Sequence, residues 1–416
     1  MLKINSKNLP ITAASTERNA SSWLRIIRYN ESGTVIQIQD DCEYRVPQVI
    51  ENPPLLKKYL GPYYRKYLLG YVPIDNLPFD KAVKNALIEL AENRKIQVPA
   101  KLDGMEIKDI IKLIGDRGFE IGLFITRITH LLDKIDFHTF LKLEFLLEQC
   151  KNFSVVIFLE KDVIRPEYKL LVDKCSLLFD HLLYYPLYEE ADVRHFIRYY
   201  SRLWHHRLTK EQEEDIIEAC GGYLWLVSQV HKYLRDNPND TTDRAWEDPL
   251  LLHKLSIIWD KFSPKEKRVL KKVAQTTLTS GDKETPEYLY LGKINLIKRD
   301  GLKDVLGIPL LSKIIDHEEI LENLRLDKGQ IVKGEEDITF QFSPKEKKLM
   351  TLLLARRKKL VKRDDIARVL WGKGWEDKYS DWAIDRIICR LRKKLSGLEI
   401  DKNLIKTAKK KGIIYG

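Results

Sequence analysis

Basic side chains recur along one side of the run Ser380–Leu395 (SDWAIDRIICRLRKKL), whose spacing predicts a helix. Its apolar residues can face a core: Trp382, Ile384, Ile388, Leu391 and Leu395. The basic residues lie opposite: Arg386, Arg390, Lys393 and Lys394, with Arg392 at the edge. A helix with packing behind and charged donors in front suits the DNA major groove. The sequence therefore predicts contact with double-stranded DNA through these side chains.

A second basic element follows this helix. Leu404–Thr407 and Gly412–Tyr415 read as short strands, and they flank Ala408–Lys411 (AKKK). This pattern predicts a β-hairpin whose tip carries Lys409, Lys410 and Lys411. Such a tip can contact phosphates or a narrow minor groove.

The net charge of the chain is concentrated in the same region. Residues 331–416 hold 23 Lys and Arg against 12 Asp and Glu, a balance of +11, which equals the net charge of all 416 residues. The remaining 330 residues therefore carry 49 basic and 49 acidic side chains. A neutral body with one basic module indicates that this module alone meets a polyanion.

Composition narrows the class of protein. The chain is 44% hydrophobic and 32% charged, which suits packed soluble domains, and its length predicts two to four of them. Neither a membrane-spanning run nor a signal-peptide core is evident, so we expect a cytoplasmic protein without membrane contact. The five cysteines are scattered and never in CxxC spacing, so we expect reduced core thiols and no zinc site.

The first 21 residues are polar, and we expect them to be a mobile leader. Apolar runs then predict five strands: Thr34–Gln39, Tyr67–Val72, Ile121–Thr126, Val155–Leu159 and Leu182–Tyr185. Helical spacing predicts four intervening helices: Lys81–Asn93, Glu106–Leu113, Ile128–Lys134 and Thr139–Gln149. Strands that are apolar throughout and alternate with helices predict an α/β fold with a parallel sheet. From Glu189 to Arg235 the pattern is helical, broken only at Gly221–Gly222.

The hexapeptide FSPKEK occurs twice, at Phe262–Lys267 and Phe342–Lys347. Each copy places Ser at the N-cap, Pro at the first helical position and Glu at the third, which predicts a capping box. An amphipathic helix follows each copy. The repeat therefore predicts two helical modules of similar design, joined by the charged stretch Asp316–Asp337.

The C-terminal motifs resemble the effector domain of OmpR/PhoB-type response regulators, in which a winged helix reads DNA. The resemblance rests on FSPKEKKLMTLLL, KRDDIARVLWG, DWAIDRIICRLRKKL and LIKTAKKKGIIY, in this order. It implies a small sheet around Ile338–Phe342, a recognition helix at Asp381–Leu395 and a wing around Ala408–Gly412. It also implies DNA contacts for the RLR arginines, Arg390 and Arg392, and for the wing residues Thr407 and Lys409.

Three positions depart from the pattern of that family. Trp382 stands where an arginine is common, Ile387 where a histidine is usual, and Lys410 where the wing has a glycine. The family's target sequence therefore does not transfer to this chain. The other explanation of the basic helix is a solvated face without a partner.

The region Thr34–Arg235 resembles the ATPase core of AAA+/STAND proteins in its strand series, followed by PLYEEADVRHFIRYYSRLW and IIEACGGYLWLVSQVHKYL. IWDKFSPKEKRVLKKVA is similar to the adjoining winged helix. An unrelated α/β fold is the alternative.

The nucleotide chemistry of that family is missing from the sequence. The chain contains no GxxxxGK[ST], and Asp40–Pro54 contains neither glycine nor lysine. Thr126–Arg127 stands where two carboxylates would hold magnesium. Arg127 and Arg165 could bind an anion, or they could be ion-pair partners. We therefore expect no cofactor, no metal and no enzymatic activity; an ATPase with an unrecognised phosphate loop is the alternative.

The predicted fold is a parallel-sheet AAA+-like core with a helical lid, followed by two winged-helix domains. Its predicted parts are a leader (1–21), an α/β domain (22–187), a lid (188–245), a first winged-helix-like domain (246–325) and an OmpR-type domain (335–416). The predicted function is transcriptional regulation through DNA, with a body that senses, dimerises or binds RNA polymerase or another protein. The second hypothesis is an inactive DNA-bound scaffold in replication, transposition or defence.

Overall fold

The computed structural model forms two compact units, Met1–Leu311 and Ser312–Gly416. The structure describes residues 10–74, 77–96, 105–132, 137–315, 324–327, 329–333, 336–376, 380–398, 400, 404–408 and 412–415. Within these ranges, none of the helices has the length and apolarity that crossing a membrane requires. The domain boundaries predicted inside the first unit stay predictions.

A five-stranded parallel sheet is the base of the first unit. Its strands are β1 (Gly33–Ile36), β2 (Tyr67–Pro73), β3 (Glu120–Thr126), β4 (Phe153–Leu159) and β5 (His181–Tyr184). The spatial order is β2-β3-β4-β1-β5, with every neighbouring pair parallel. β1 and β4 are buried along their whole length, as in sheets that are covered on both faces. The α/β fold class and all five predicted strands are confirmed.

Eight helices accompany these strands in the described part of the chain. They are α1 (Ala13–Arg28), α2 (Cys42–Ile50), α3 (Pro53–Leu60), α4 (Phe79–Asn93), α5 (Ile107–Gly115), α6 (His138–Gln149), α7 (Lys169–Lys174) and α8 (Ser176–Phe179). The predicted helix Ile128–Lys134 is wrong, because Thr129–Leu131 form one 3-10 turn. Arg127, shortly before this turn, has a φ of 59°, which is incompatible with a right-handed helix. Residues 133–136 lie outside the described residues.

The predicted mobile leader is wrong where the structure describes it, because α1 begins at Ala13 and packs on the sheet domain. Ser15 is buried and its hydroxyl donates to Asp192 at 2.7 Å. Trp23 is fully buried, with its ring edge-on to Phe158 at 5.1 Å between centroids. The polar composition of this segment suggested solvent exposure, but buried hydroxyls are stable once they are hydrogen-bonded. Residues 1–9 lie outside the described residues.

The rest of the first unit is largely helical. It contains α9 (Glu190–Leu203), α10 (Lys210–Cys220), α11 (Leu224–Asp236), α12 (Thr242–Trp246), α13 (Pro249–Trp259), α14 (Pro264–Ala274), α15 (Ser280–Lys283), α16 (Pro286–Lys293) and the antiparallel hairpin β6 (Ile297–Asp300)–β7 (Lys303–Leu306). Gly222, in the break before α11, lies so close to Tyr188 that a Cβ would be 2.1 Å from its carbonyl oxygen. Only glycine fits there.

Besides the helical residues 312–315, the second unit combines three helices with two small sheets. The helices are α17 (Pro344–Ala355), α18 (Arg363–Trp371) and α19 (Asp381–Gly397). The strands are β8 (Leu324–Asp327), β9 (Gln330–Lys333), β10 (Glu336–Asp337), β11 (Val361–Lys362), β12 (Ile405–Ala408) and β13 (Gly412–Tyr415). One sheet has the order β10-β9-β8 and the other the order β11-β13-β12. The helices and the β12–β13 hairpin share one core, so this unit is a winged helix.

The small sheet implied around Ile338–Phe342 lies earlier in the chain, in β8 to β10, and Thr339–Gln341 form a 3-10 turn. Leu324 and Ile331 are fully buried in the core of the unit. The charged composition of Asp316–Asp337 predicted a linker because most of its residues are polar. Its few apolar side chains nevertheless anchor strands on the winged helix.

Both FSPKEK copies form the predicted capping box. In the first, the Ser263 hydroxyl accepts from the Glu266 amide, and the Glu266 carboxylate accepts from the Ser263 amide. Ser343 and Glu346 repeat this exchange at the start of α17. Both helix starts therefore satisfy backbone donors that would otherwise lack partners.

The capping glutamates have a second role that the sequence did not indicate. Each is buried and forms an ion pair with a cation from another element: Arg165 with Glu266 at 2.6 Å, and Lys394 with Glu346 at 2.8 Å. Burial acts to raise the pKa of Glu346, but the hydrogen bonds from Lys394 and Ser343 prevail and lower it. Each capping box thus also holds its helix against a neighbouring element.

Candidate functional site

The helix α19 is built around one apolar side. Its N-cap is Ser380, whose hydroxyl accepts from the amide of Ala383 at 3.2 Å. Its buried residues recur at helical spacing: Ile384, Ile387, Ile388, Leu391 and Leu395. They pack into the core of the second unit and fix which side of the helix faces solvent.

The opposite side of α19 forms an exposed stripe, which we define as Trp382, Arg386, Cys389, Arg390 and Lys393. Trp382, Arg386, Arg390 and Lys393 follow one another at intervals of three or four residues, and Cys389 lies three residues after Arg386, so all five share one face. The guanidinium of Arg386 lies 5.2 Å from the ring centroid of Trp382. The side chains of Arg390 and Lys393 have no hydrogen bond or ion pair with another residue that the structure describes. Three cations are therefore available along this face.

The placement of Trp382 on the apolar side was wrong, because its side chain is 68% exposed. Ile387 takes the buried position instead. Spacing contained the signal, since Trp382 precedes Arg386 by one helical turn and so shares its face. The expectation of core thiols was likewise wrong for Cys389, which is exposed, whereas the other four cysteines are buried.

The two acidic residues near the start of α19 are held away from the stripe by Arg363. This arginine, the first residue of α18, donates to Asp381 at 3.1 Å and to Asp385 at 2.7 Å. This role of Arg363 has no local signal in the sequence, because its partners lie 18 and 22 residues away on another helix. Because Arg363 pairs with both carboxylates, neither of them adds an uncompensated negative charge to the stripe.

Arg392 faces the wing, not the exposed stripe. Its guanidinium donates to the carbonyl oxygen of Ile405 at 2.6 and 3.0 Å, and to the hydroxyl of Thr407 at 2.9 Å. These contacts join α19 to β12. Thr407 is itself exposed on that strand. Both residues of the predicted set therefore connect helix and wing in the unbound protein.

Lys394 also points inward, towards the Glu346 carboxylate and the ring of Phe342, which its Nζ approaches at 5.9 Å. The predicted hairpin is present, with Ile405 paired to Tyr415 and Ala408 to Gly412. The three lysines predicted at its tip, Lys409, Lys410 and Lys411, lie outside the described residues. Their DNA contacts stay predictions.

The second candidate site is the connection from β1 to α2 in the first unit. Only residues 37–41 separate the strand from the helix, and none of them is glycine or has a positive φ. Arg45 of α2 is buried and pairs with Asp41 at 2.5 Å. Tyr188 donates to the other oxygen of Asp41 at 2.6 Å. This connection is therefore filled by its own side chains.

The burial of this network shifts the pKa values of its side chains. Burial raises the pKa of the Asp41 carboxyl, and the Arg45 charge opposes that change. Burial likewise raises the pKa of Tyr188 well above its usual value. Arg45 also lies over the ring of Tyr185, 4.7 Å from its centroid.

Arg127 and Arg165, the two arginines that could have bound an anion, are both ion-paired. Arg127, directly after β3, donates to Asp40 at 2.8 Å and to Glu43 at 3.3 Å. Arg165 is engaged by Glu266 through both oxygens. Within the described part of the chain, no group of three or more His, Cys, Asp or Glu side chains is arranged to hold a metal ion.

Comparison with known families places the basic unit. Residues 334–415 match the family described as "Transcriptional regulatory protein, C terminal". The match covers the stripe, Arg392 and the wing, and it confirms the resemblance to OmpR/PhoB-type domains for this part of the chain. No curated protein matches the sequence.

The solved structures that resemble this chain include an ATPase and two ORC proteins. The Walker-type ATPase PABY2304 of Pyrococcus abyssi is 12% identical, with a TM-score of 0.48, covering 74% of this chain and 96% of that one. The Aeropyrum pernix ORC2 protein is 13% identical, with a TM-score of 0.38, covering 73% and 94%. The Aeropyrum pernix ORC1 protein in complex with DNA is 9% identical, with a TM-score of 0.36, covering 99% and 90%. Likenesses this distant do not indicate an activity.

Proposed function

We propose that this protein is a DNA-binding transcriptional regulator whose helix α19 enters the major groove. The observation that carries the proposal is the exposed stripe, in which Arg386, Arg390 and Lys393 stand opposite a fully packed apolar side. The family match at residues 334–415 supports it. Arginines on such a face can form bidentate hydrogen bonds with guanine, and lysines neutralise phosphates.

The first unit, in this proposal, is an AAA+-like body that does not hydrolyse nucleotide. A phosphate-binding loop needs glycines and a lysine between strand and helix, and residues 37–41 supply neither. Arg127 follows β3, where magnesium would need carboxylates. The body would instead sense a ligand, dimerise, or contact RNA polymerase or another protein. Phosphate release from Mg-ATP that is abolished by an Arg45 substitution would contradict this assignment.

The salt dependence of DNA binding tests the role of the stripe. We expect the triple change Arg386→Gln, Arg390→Gln and Lys393→Gln to make the slope of log K against log[salt] shallower by about 0.9 to 2.7, at ~0.9 for each of the three side chains that contacts a phosphate and not a base edge. The matched control removes three exposed lysines of the first unit: Lys57→Gln, Lys169→Gln and Lys174→Gln. An unchanged slope in the stripe variant would reject the proposed contact, whereas a change in the control would indicate a general charge effect.

Cys389 offers an independent footprint in the native chain. It is exposed within the stripe, and the other four cysteines are buried. We expect maleimide to label Cys389 in the free protein and specific DNA to slow that labelling strongly. Equal labelling with and without saturating DNA would place the DNA elsewhere.

A scaffold function is the second candidate, because the first unit contains another winged-helix-like segment. Its hairpin β6–β7 exposes Arg299, Leu302 and Lys303 near the turn. Genome-wide mapping of bound sites separates the two functions. Many promoter-proximal sites support the regulator, and a single cluster of repeats supports the scaffold.

A further inference from the structure

A cavity of about 260 Å³ opens within the first unit where β1 ends. One side is formed by the connection from β1 to α2 and by α2 itself, and the other by α9, α11 and α13. At ~30 Å³ for each water in the liquid, the space corresponds to roughly nine water molecules. That is below the ~300–1,000 Å³ of sites that enclose drug-sized ligands, so its occupant is small.

The polar lining of this cavity is mainly acidic. Asp40, Asp41 and Glu43 contribute carboxylates, and Lys261 is the one basic residue among the described residues that line it. The Lys261 ammonium is already engaged, because it donates to the carbonyl oxygen of Ile38 at 2.9 Å and pairs with Glu160. A phosphate placed here would meet carboxylates before it met an available cation.

Most cationic partners of these carboxylates lie outside the lining. Arg127 pairs with Asp40 and Glu43, and Arg45 pairs with Asp41. With Lys261 and the Lys254 that lies over Trp225, four cations balance the three lining carboxylates and Glu160. The lining itself presents three carboxylates and one ammonium, and carboxylates in a partly enclosed space attract a positively charged ligand.

The apolar lining is aromatic. Tyr44, Phe196, Tyr200, Tyr223 and Trp225 all border the cavity. Phe196 and Tyr200 pack edge to face at 4.7 Å between centroids, and Tyr223 and Trp225 do so at 6.3 Å. Aromatic faces attract ammonium groups, and rings grouped around one space bind quaternary ammonium ligands.

Trp225 already binds one ammonium group within the chain. The Nζ of Lys254 lies 3.8 Å from its ring centroid. Burial lowers the pKa of this ammonium, so a cation at this ring must gain more from the rings and carboxylates than it loses in hydration. Because Trp225 is at the start of α11 and Tyr44 is in α2, a ligand between them would touch both sides of the cavity.

We propose that this cavity binds a small organic cation, an alkylated or aromatic amine with a short apolar body. The rings would enclose the apolar body, and the carboxylates of Asp40 and Glu43 would face the charge. The inference rests on the sensing role proposed for the first unit and is independent of the DNA-binding role of the second.

Calorimetric titration of the full chain tests the proposal with defined probes. The cations are choline and benzylamine, each compared with a neutral molecule of similar shape, 3,3-dimethylbutan-1-ol and benzyl alcohol. We expect at least one cation to bind about tenfold or more tightly than its neutral counterpart, a difference that the carboxylates and cation–π contacts would supply. If neither cation exceeds its counterpart, or if Mg-ATP displaces a bound cation competitively, the proposal is overturned.

Two variants with matched controls locate the binding. Glu43→Gln and Trp225→Leu should each weaken cation binding by about fivefold or more. Glu51→Gln, at the C-cap of the helix that contains Glu43, and Trp246→Leu do not alter the lining and should leave the affinity for the cation within about twofold. Equal losses in variants and controls would contradict the site. DNA affinity without ligand is measured in parallel, so a failure of this inference is distinguishable from a failure of DNA binding.

Discussion

Arg390 and Arg392 lie two residues apart on α19, but replacing each with alanine should have a different effect. Arg390 is exposed on the stripe, whereas Arg392 donates three hydrogen bonds to Ile405 and Thr407. A hydrogen bond involving a charged group contributes ~1.5–3 kcal/mol. Since two of the three share one acceptor and the side chain is partly exposed, we take the lower end, about 1.5 kcal/mol.

The loss of stability on truncating Arg392 should be measurable in the wing without any DNA present. A local stability loss of about 1.5 kcal/mol increases the open population roughly tenfold. We therefore expect Arg392→Ala to make amide hydrogens of β12 and β13 exchange about tenfold faster in the full chain. Hydrogen exchange with mass spectrometry of peptides spanning residues 404–415 measures this directly.

Arg390→Ala is the matched control, because it removes the same charge from the same helix. Its wing exchange should stay at the level of the unchanged protein, while its DNA affinity falls by about 5- to 150-fold, the equivalent of ~1–3 kcal/mol for a bidentate base contact. Unchanged wing exchange in Arg392→Ala would refute the reasoning. So would equal acceleration in both variants, since that would assign the effect to lost charge.

Three further predictions concern stability. Glu346→Gln should destabilise the second unit by about 1–2 kcal/mol through the loss of the Lys394 ion pair, since glutamine can still complete the capping box. Because the folded pKa of Glu346 is lowered, urea unfolding should show this difference above pH 5 and its loss as the pH falls below about 4. Burial lowers the pKa of His231 to about 4. The free energy of unfolding of the first unit should therefore fall by about 2 kcal/mol from pH 7 to pH 5, because the histidine takes up a proton in the unfolded state. His231→Leu should not show that decrease in urea titrations. Gly222→Ala should cost the first unit about 1–3 kcal/mol, read from its urea midpoint, because the new Cβ would meet the Tyr188 carbonyl.

The periodicity and apolar content of the sequence were sufficient to predict the regular helices and strands. The strands β1 to β5 could be predicted because each is a short apolar run, and α19 because its apolar residues recur at helical spacing. The helix α1 could not, since its buried Ser15 is stabilised by Asp192, a partner 177 residues away. Local composition contains no information about such a partner.

The candidate interface was predicted in outline and corrected in detail. Helical spacing assigns Arg392 and Lys394 to the polar side, but only the tertiary structure places Ile405 and Glu346 within reach of them. Long basic side chains at the border of a helix face can turn either way, and an available buried acceptor decides the direction. The position of Trp382 could have been predicted from its spacing to Arg386.

The paired glutamates of the two FSPKEK copies limit how these modules can be exchanged. A chimera cut at the borders of either hexapeptide transfers the helix start but not the cation that neutralises it. That cation lies 101 residues upstream of Glu266 in the first copy and 48 residues downstream of Glu346 in the second. The transplanted carboxylate would then be buried without its counter-charge, which is strongly destabilising. A working hybrid must transfer Arg165 or Lys394 together with the hexapeptide, although neither residue belongs to it.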